Sequence, residues 1–347
     1  MISEYLLDQG CSCHTMAPCS FCEALSEGEA DAYSNDGMDG LRKYLRERQS
    51  QEEETAELNE FLEREKMNDE LGQRMKDQYE DRTRFSLPRR TYTILRLDGK
   101  AFHTYTRGLD KPFDKGLSED IDSAIVAMLP ELQGSVFAYT QSDEISVLLT
   151  DFAQPGTSAW FDGNIQKMSS VAASIITAEF NKRRFARYIW DKDDKAMTMV
   201  TKGENDAWQF IPECPMAFFD CRVFTIPDRT EVMNYFRWRQ QDCVRNSVSM
   251  VAQHNFSHKE LHGKSQADMH EMLHQKGVNW ATDFSDGEKN GRVVVKEEYE
   301  TTVSVPDTAN FKVVPQLVKR NRWVAKGAWG FSKDEGKLLG MVPKYAD

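Results

Sequence analysis

Thr91-Tyr92-Thr93-Ile94-Leu95-Arg96-Leu97-Asp98-Gly99, and further on Gly134-Ser135-Val136-Phe137-Ala138-Tyr139-Thr140-Gln141-Ser142-Asp143-Glu144-Ile145-Ser146-Val147-Leu148-Leu149, are the stretches that decide the fold. The first is a run of β-branched and aliphatic residues closed by Asp-Gly, and it reads as a strand. The second holds two such runs joined by Gln141-Ser142-Asp143-Glu144, so short a link that a hairpin is its natural form. A helix is expected from about Ser118 to Met128, and a longer one, rich in Ala, Ser and Ile, from Gln166 to Arg184. A fourth strand should run from Met216 to Thr225 and end at Ile226-Pro227, because proline cannot donate to the ladder. The order β-α-β-β-α-β is the split ferredoxin-like arrangement of an α+β domain. Thr230 to Ala252 reads as a further helix, and the tail from Asn290 holds strand-like pieces such as Val293-Val294-Val295. No internal repeat is visible.

On that frame the carboxylates matter. Asp98 ends the first strand, and Asp143 and Glu144 sit at the tip of the hairpin expected to pair beside it. Acidic groups from two places would then converge on one edge of the sheet. Carboxylates that close cannot all stay ionised unless a cation lies between them. Hard oxygen ligands of this kind suit Mg²⁺, which keeps some waters and takes further ligands from substrate phosphates. Two such ions can activate an attacking oxygen and stabilise a leaving pyrophosphate. Read singly, Asp-Gly and Ser-Asp-Glu are ordinary turn residues. Their joint placement is what favours chemistry.

The same residues carry a resemblance. Arg96-Leu97-Asp98-Gly99-Lys100-Ala101-Phe102-His103 and Gln141-Ser142-Asp143-Glu144-Ile145-Ser146 resemble motifs of tRNA-histidine guanylyltransferase and its relatives. Further matches are Lys167 at the start of the helix after the hairpin, Phe219-Asp220-Cys221-Arg222-Val223, and Trp238-Arg239-Gln240-Gln241-Asp242-Cys243. The resemblance covers roughly residues 70–300. It implies a polymerase-like palm that extends RNA in the 3′-to-5′ direction. Asp98 and Asp143 would be the metal-binding carboxylates, the Gly99 carbonyl a further Mg²⁺ ligand, and Glu144 a support for the site. Arg96, Lys100, Ser142 and Lys167 match positions near the bound nucleotide and its triphosphate, and His103 a position that handles substrate. Lys167 at a helix start beside an acidic metal site would suit phosphate. One departure stands out: where the eukaryotic enzymes carry His-Ile-Asn-Asn, this chain reads Val244-Arg245-Asn246-Ser247. That resembles the guanylyltransferase-like branch, whose members fill in missing 5′ nucleotides by Watson–Crick pairing. ATP and GTP would be substrates, tRNA or another structured RNA the acceptor, and a homo-oligomer, dimer or tetramer, the working form. Arg245 and Asn246 could touch that RNA or simply pack on a helix face.

The rest of the chain bounds the reading. At 347 residues it can hold one large domain and an appendage. No apolar run reaches the roughly 18 residues of a membrane helix, and Met1-Ile2-Ser3-Glu4-Tyr5 does not open a signal peptide. The expectation is therefore a cytoplasmic protein with no membrane partner. The net charge of −12 is uneven: residues 1–90 hold 21 acidic and 12 basic side chains. That excludes a protein that coats nucleic acid through bulk positive charge, but not one with local basic patches. Three regions emerge. Residues 1–40 carry Cys11, Cys13, His14, Cys19 and Cys22 and then a Gly- and Asp-rich stretch. They read as a small Zn²⁺ module or as free cysteines. Residues 41–85 lack proline and read as an acidic helical extension, either a linker or a dimerising coiled coil. Residues 86–347 form the palm-like catalytic domain with a C-terminal RNA-contacting region, where Lys319, Arg320 and Arg322 lie near Trp323. Arg82, Arg84, Arg89 and Arg90 are a second basic group. His254, His258 and His262 recur every four residues, but with no His-Glu-x-x-His pattern they read as solvated.

Two other classes fit part of the pattern. A nucleotidyl cyclase shares a first-strand Asp and an acidic hairpin, but its Gly-Gly-x-x-Phe turn is absent here. A non-catalytic RNA-binding adaptor would use the cysteine module and a decayed palm, which the joint presence of Asp98, Asp143 and Lys167 speaks against.

Overall fold

The computed structural model describes residues 27–191, 200–202, 208–210, 215–307 and 312–345. The chain forms two compact units, Met1–Thr83 and Arg84–Asp347. Cys11, Cys13, Cys19 and Cys22, and with them the Zn²⁺ expectation, lie outside the described residues.

In the described part of the first unit the helical stretch α1 runs from Glu27 to Met75 and folds back at Gly37, since Arg48 reaches Glu29 at 3.7 Å, far closer than a straight helix would allow. It starts earlier than the composition suggests, since the Gly- and Asp-rich stretch before Leu41 is helical from Glu27 onward. Glu27, Glu29, Ala30 and Ala32 are good helix formers. The disruption falls on Gly37 alone, whose φ of +61° is open to a residue without Cβ. Leu41 is buried and Tyr44 and Leu45 partly so, beside the fold-back, while Leu58, Leu71 and Met75 farther along are exposed. Arg48 and Glu52, one turn apart at 3.1 Å, form an exposed pair of the kind that adds only tenths of a kcal/mol.

The second unit is built on one antiparallel sheet. Its strands are β1 (Tyr92–Gly99), β2 (Ser135–Gln141), β3 (Glu144–Leu149), β4 (Phe219–Ile226), β5 (Arg292–Asp307) and β6 (Lys312–Gly327). In space they follow the order β4-β1-β3-β2-β5-β6. The crossovers are α2 (Lys115–Met128) and α3 (Ile165–Asp191), so the first four strands form the β-α-β-β-α-β core read from the sequence. Alternation along β1 explains the layers. Leu95 and Leu97 face α2 and α3, packing with Ile121, Ile125, Ala172, Ile176 and Phe180. Tyr92 and Ile94 face the other side, where α4 (Arg229–Asn255) contributes Val232, Tyr235 and Phe236. β3 is buried along its whole length; Ile145, Val147, Leu148 and Leu149 suit a strand covered on both faces, and Ser146 is satisfied by the Tyr235 hydroxyl at 2.8 Å. Each such side chain contributes about 1.5–3 kcal/mol by leaving water. Asp114 and Asp228 start α2 and α4 by accepting backbone N–H bonds from Leu117, and from Thr230 and Glu231.

The tail differs from its strand-like pieces. β5 and β6 form one long hairpin, paired from Arg292–Gly327 to Asp307–Lys312. Among its described side chains, the apolar core residues Val293 and Val294 lie at its base. Farther out β5 is acidic and β6 basic, and Glu298 meets Lys319 at 2.9 Å. Cross-strand ion pairs replace the apolar alternation that would have announced these strands.

Candidate active site

The carboxylates meet where β1 ends and the β2–β3 hairpin turns. Gln141 pairs with Glu144, leaving Ser142 and Asp143 as a two-residue turn with Ser142 at φ +50°, the left-handed geometry such turns require. Leu97 pairs with Ile145, which brings Asp98 beside Glu144. On its other side Asp98 lies opposite Asp220 of β4. Burial lifts the Asp98 carboxyl above its ordinary range, with Glu144 and Asp220 adding to the rise against Arg96 and Arg222. Burial also pushes Asp143 up to about 6, helped by the Asp98 charge and opposed by hydrogen bonds from its own N–H, the Ser142 hydroxyl and the Gly99 N–H. Two carboxylates that resist ionisation side by side are the electrostatic mark of a cation site.

Gly99 is required here. A Cβ on it would meet the Phe102 ring at 2.2 and 2.7 Å and Asp143 Oδ2 at 2.9 Å. Only a residue without a side chain lets the strand end approach the hairpin carboxylate so closely.

Glu144 has a different task. Its oxygens are held by Arg96 at 2.7 Å and by Arg239 at 2.8 and 3.1 Å, all three groups largely buried. It fixes two guanidinium groups beside Asp98 rather than offering a free ligand. Among the described residues no group of three or more His, Cys, Asp or Glu side chains is placed to hold a metal. The available donors are Asp98, Asp143 and the backbone at Gly99. That sparse oxygen set fits Mg²⁺, which is bound through one or two carboxylates plus substrate phosphates.

Asp98, Ser142, Asp143 and Glu144 line one end of a cavity of about 430 Å³, in the range of roughly 300–1,000 Å³ usual for small-molecule sites. The loop between β1 and α2 supplies Lys111, and α4 supplies Asp242, Asn246 and Ser249. Arg292, whose Nε donates to Asp122 at 2.6 Å, lines the cavity from β5, where it pairs with Thr140 of β2. Lys111 is the lysine the sequence reading missed. It sits in an irregular loop with no motif spacing, and only the folded loop brings it to the same cavity as the carboxylates.

Other expected residues fall elsewhere. Lys167 is not beside the acidic site. Leu87 N–H donates to Gly163 O, so α3 starts at the end of the sheet where β1 enters, opposite Asp98. α3 reaches the carboxylate end only at Asn181, which hydrogen-bonds Ala217 just before β4, and from Lys167 to Asn181 the helix rises roughly 20 Å. The reason is topological: β3 must cross the sheet before the next helix can begin. Lys167 instead lies over the Phe161 ring, 6.0 Å from its centroid. Lys100 and His103 are exposed and outside the cavity lining; His103 Nε2 lies 3.1 Å from Thr104 Oγ1. Arg245 is paired with Asp242 at 2.8 Å and faces a neighbouring groove, whereas Asn246 faces the cavity. Lys319, Arg320 and Arg322 are exposed on β6, with Lys319 tied to Glu298 and Arg322 over the Tyr299 ring. Of the other basic group, Arg89 binds Asp151. His254 ends α4, while His258 and His262 belong to a separate turn beyond Phe256, so the three do not share one helix face. Burial pushes the Cys221 thiol up to about 12 and Cys243 up to about 11, which removes both as nucleophiles.

Strand-end carboxylates on a β-α-β-β-α-β sheet, at the mouth of a cavity of nucleotide size, define a palm-type nucleotidyltransferase. The profile of the tRNAHis guanylyltransferase family matches residues 72–227. A bacterial tRNA(His) guanylyltransferase-like protein solved in complex with ATP is 35% identical, with a TM-score of 0.62 over 78% of this chain and 99% of that one. A structure of such a bacterial protein in complex with GTP gives 34% identity and a TM-score of 0.58, over 79% and 99%. The tRNA(His) guanylyltransferase of Debaryomyces hansenii is 27% identical over 70% of this chain and 86% of its own length. An uncharacterized protein of Acanthamoeba polyphaga mimivirus is 26% identical over 75% and 89%. The chain belongs to the tRNAHis guanylyltransferase family, and it is a nucleotidyltransferase.

Proposed function

We propose that this enzyme uses Mg²⁺ to add nucleotides to the 5′ end of tRNA in the 3′-to-5′ direction, filling in missing nucleotides against the opposing strand. The observation that carries the reading is the arrival of Asp98 and Asp143, from two adjacent strand ends, at one end of a single cavity. The ATP- and GTP-bound relatives support a purine nucleoside triphosphate as its occupant.

Asp98, Asp143 and the Gly99 carbonyl would hold the metal, which when bound supplies charge neutralisation for the phosphates and the leaving pyrophosphate. The chain's own residues bind and orient. Lys111, on the cavity wall, would bring a positive charge on a flexible stem to the triphosphate, and the Ser142 hydroxyl bonds Asp143 on the turn. Glu144 keeps Arg96 and Arg239 fixed beside Asp98, so positive charge is already in place where phosphate charge develops. A nucleoside triphosphate first activates the RNA 5′ monophosphate, releasing pyrophosphate. The 3′-hydroxyl of the incoming nucleotide then attacks the RNA 5′ phosphate and displaces the activating nucleoside monophosphate, and no covalent enzyme intermediate is needed. Templated filling-in is favoured over fixed guanylate addition by the Val244-Arg245-Asn246-Ser247 segment, where the eukaryotic stretch would put a histidine.

The test uses a tRNA lacking one 5′ nucleotide, supplied with ATP, all four nucleoside triphosphates and Mg²⁺. Wild type should extend it by the nucleotide complementary to the opposing base, and should follow that base when it is exchanged. Asp143→Ala should not extend it. Addition of guanylate whatever the opposing base would refute templating, and full activity of Asp143→Ala would refute the metal assignment.

A further inference from the structure

Trp238 is an exposed aromatic side chain that the catalytic reading leaves without a task. It sits on α4, one turn before Asp242 and two before Asn246, both of which line the cavity. Trp238 itself is outside that lining, and 48% of it is exposed. Its position is nonetheless tightly set. The Arg239 guanidinium carbon lies 3.6 Å from the ring centroid, and Arg239 is locked by its two bonds to Glu144. The edge of Tyr235 meets the ring at 6.0 Å, and Arg96 approaches to 5.9 Å. One face of the indole is therefore backed by a buried cation, and the solvent-facing part of the ring is held at a fixed angle.

The surroundings say what would rest on it. Arg96 lies two residues before Asp98 on β1, and the exposed Arg222 is its register partner on β4, the edge strand of the sheet. Asp98 thus stands between two unlike surfaces. On one side is the cavity; on the other are the half-exposed Trp238 ring and the exposed Arg222, with the largely buried Arg96 against the ring. A nucleoside triphosphate suits the first. The second suits a large partner with a planar, uncharged end and a charged backbone, which is the chemistry of an RNA helix terminus. A buried cation behind the ring also leaves the open face to stack on a base rather than to attract another cation.

We propose that Trp238 is the stacking platform for the terminal base of the RNA whose 5′ phosphate enters the carboxylate site. The proposal rests on the nucleotidyltransferase reading above and adds to it the surface that takes the acceptor. Stacking there sets the height of the RNA end relative to Asp98, and so which phosphate can reach it.

The experiment places 2-aminopurine at the 5′ terminal position of a tRNA acceptor-stem duplex and follows its fluorescence on titration with the full chain. Stacking on an aromatic ring quenches this base. Wild type and Trp238→Phe should quench it; Trp238→Ala should not. In a pyrophosphate-release assay, Trp238→Ala should raise KM for RNA roughly 5- to 100-fold, the range expected for one base–aromatic stack, with KM for ATP unchanged and recovery in Trp238→Phe. Undiminished quenching in Trp238→Ala would overturn the proposal. So would an equal rise in both KM values, which would mean that Trp238 only steadies Arg239. A change of oligomeric mass in Trp238→Ala without loss of quenching would assign the ring to a subunit contact instead. Because quenching needs no turnover, a wild type that stacks the base but adds no nucleotide would sink the catalytic reading while leaving the platform standing.

Discussion

Replacing Gly99 with alanine is expected to disable the site at a modest cost in stability. The new methyl would lie 2.2 and 2.7 Å from two carbons of the Phe102 ring and 2.9 Å from Asp143 Oδ2. Carbon atoms pack at about 3.5–4.0 Å, so the ring or the strand end must give way by roughly 1 Å. The ring has nowhere to go. Phe102 is buried, and its centroid lies 4.9 Å from Tyr105, 5.6 Å from Phe219 and 5.9 Å from Phe180. Overpacking of this kind costs about 1–3 kcal/mol, which for a unit of this size lowers Tm by roughly 2–12 °C. The catalytic effect should be larger, because the strand end and Asp143 both shift, and a 1 Å misplacement costs on the order of 100-fold in rate. Thermal unfolding by circular dichroism measures the first effect, and pyrophosphate release from 5′-monophosphorylated tRNA the second. Gly99→Ala combined with Phe102→Leu should regain Tm by relieving the ring, yet stay slow. A single variant with wild-type Tm and wild-type rate would refute the argument that this close approach builds the site.

Three further outcomes follow from the same geometry. Glu144→Gln removes the carboxylate that Arg96 and Arg239 share, leaving Arg239 only Asp242 at 3.6 Å and Arg96 only the nearby Asp98, and should cost up to about 3–5 kcal/mol by denaturant titration; a loss below 1 kcal/mol would mean the clamp is not holding. For Asp143, a carboxyl lifted from 3.8 to about 6 keeps a proton in the folded protein that the unfolded chain has lost. Without a cation its contribution is fully present below about pH 4 and is lost as pH rises through about 6. Asp143→Asn cannot titrate, so it should match wild type in acid and exceed it at pH 7 by up to roughly 3 kcal/mol. Mg²⁺ should narrow that gap by stabilising wild type alone, and parallel pH curves would contradict the assignment. Lys167→Ala should keep nucleotide addition within about twofold of wild type, since roughly 20 Å separates it from the carboxylates; a hundredfold loss would show that the helix start does reach substrate.

The β-α-β-β-α-β core was legible because each element is short, strongly patterned and bounded by turn residues. Asp98, Asp143 and Ser142 could be placed because a strand end and a two-residue hairpin leave their tip residues little freedom. Lys167 was misplaced for a related reason: sequence order gives the element a residue starts, but not which end of the sheet that element starts from. Lys111 was invisible because an irregular loop has no period, and its place in the cavity wall is purely tertiary. The double clamp on Glu144 was equally hidden, since Arg96 and Arg239 come from β1 and α4, which are far apart in the chain. The β5–β6 hairpin escaped because ion pairs, not apolar alternation, hold its strands in register.

The cavity wall has a consequence for biosynthesis. β1, β2 and β3 are among the first parts of the catalytic unit to leave the ribosome, and with them both carboxylates. β1 finds its second neighbour only when β4, ending at Ile226, arrives, and β2 finds its own only with β5, beginning at Arg292. Such distant pairings close slowly. Asp242, Asn246 and Arg292, which complete the cavity, also come late. A nascent chain therefore displays its acidic pair long before it has a complete pocket for a nucleotide, and completes that pocket only when Arg292 at the start of β5 has been made.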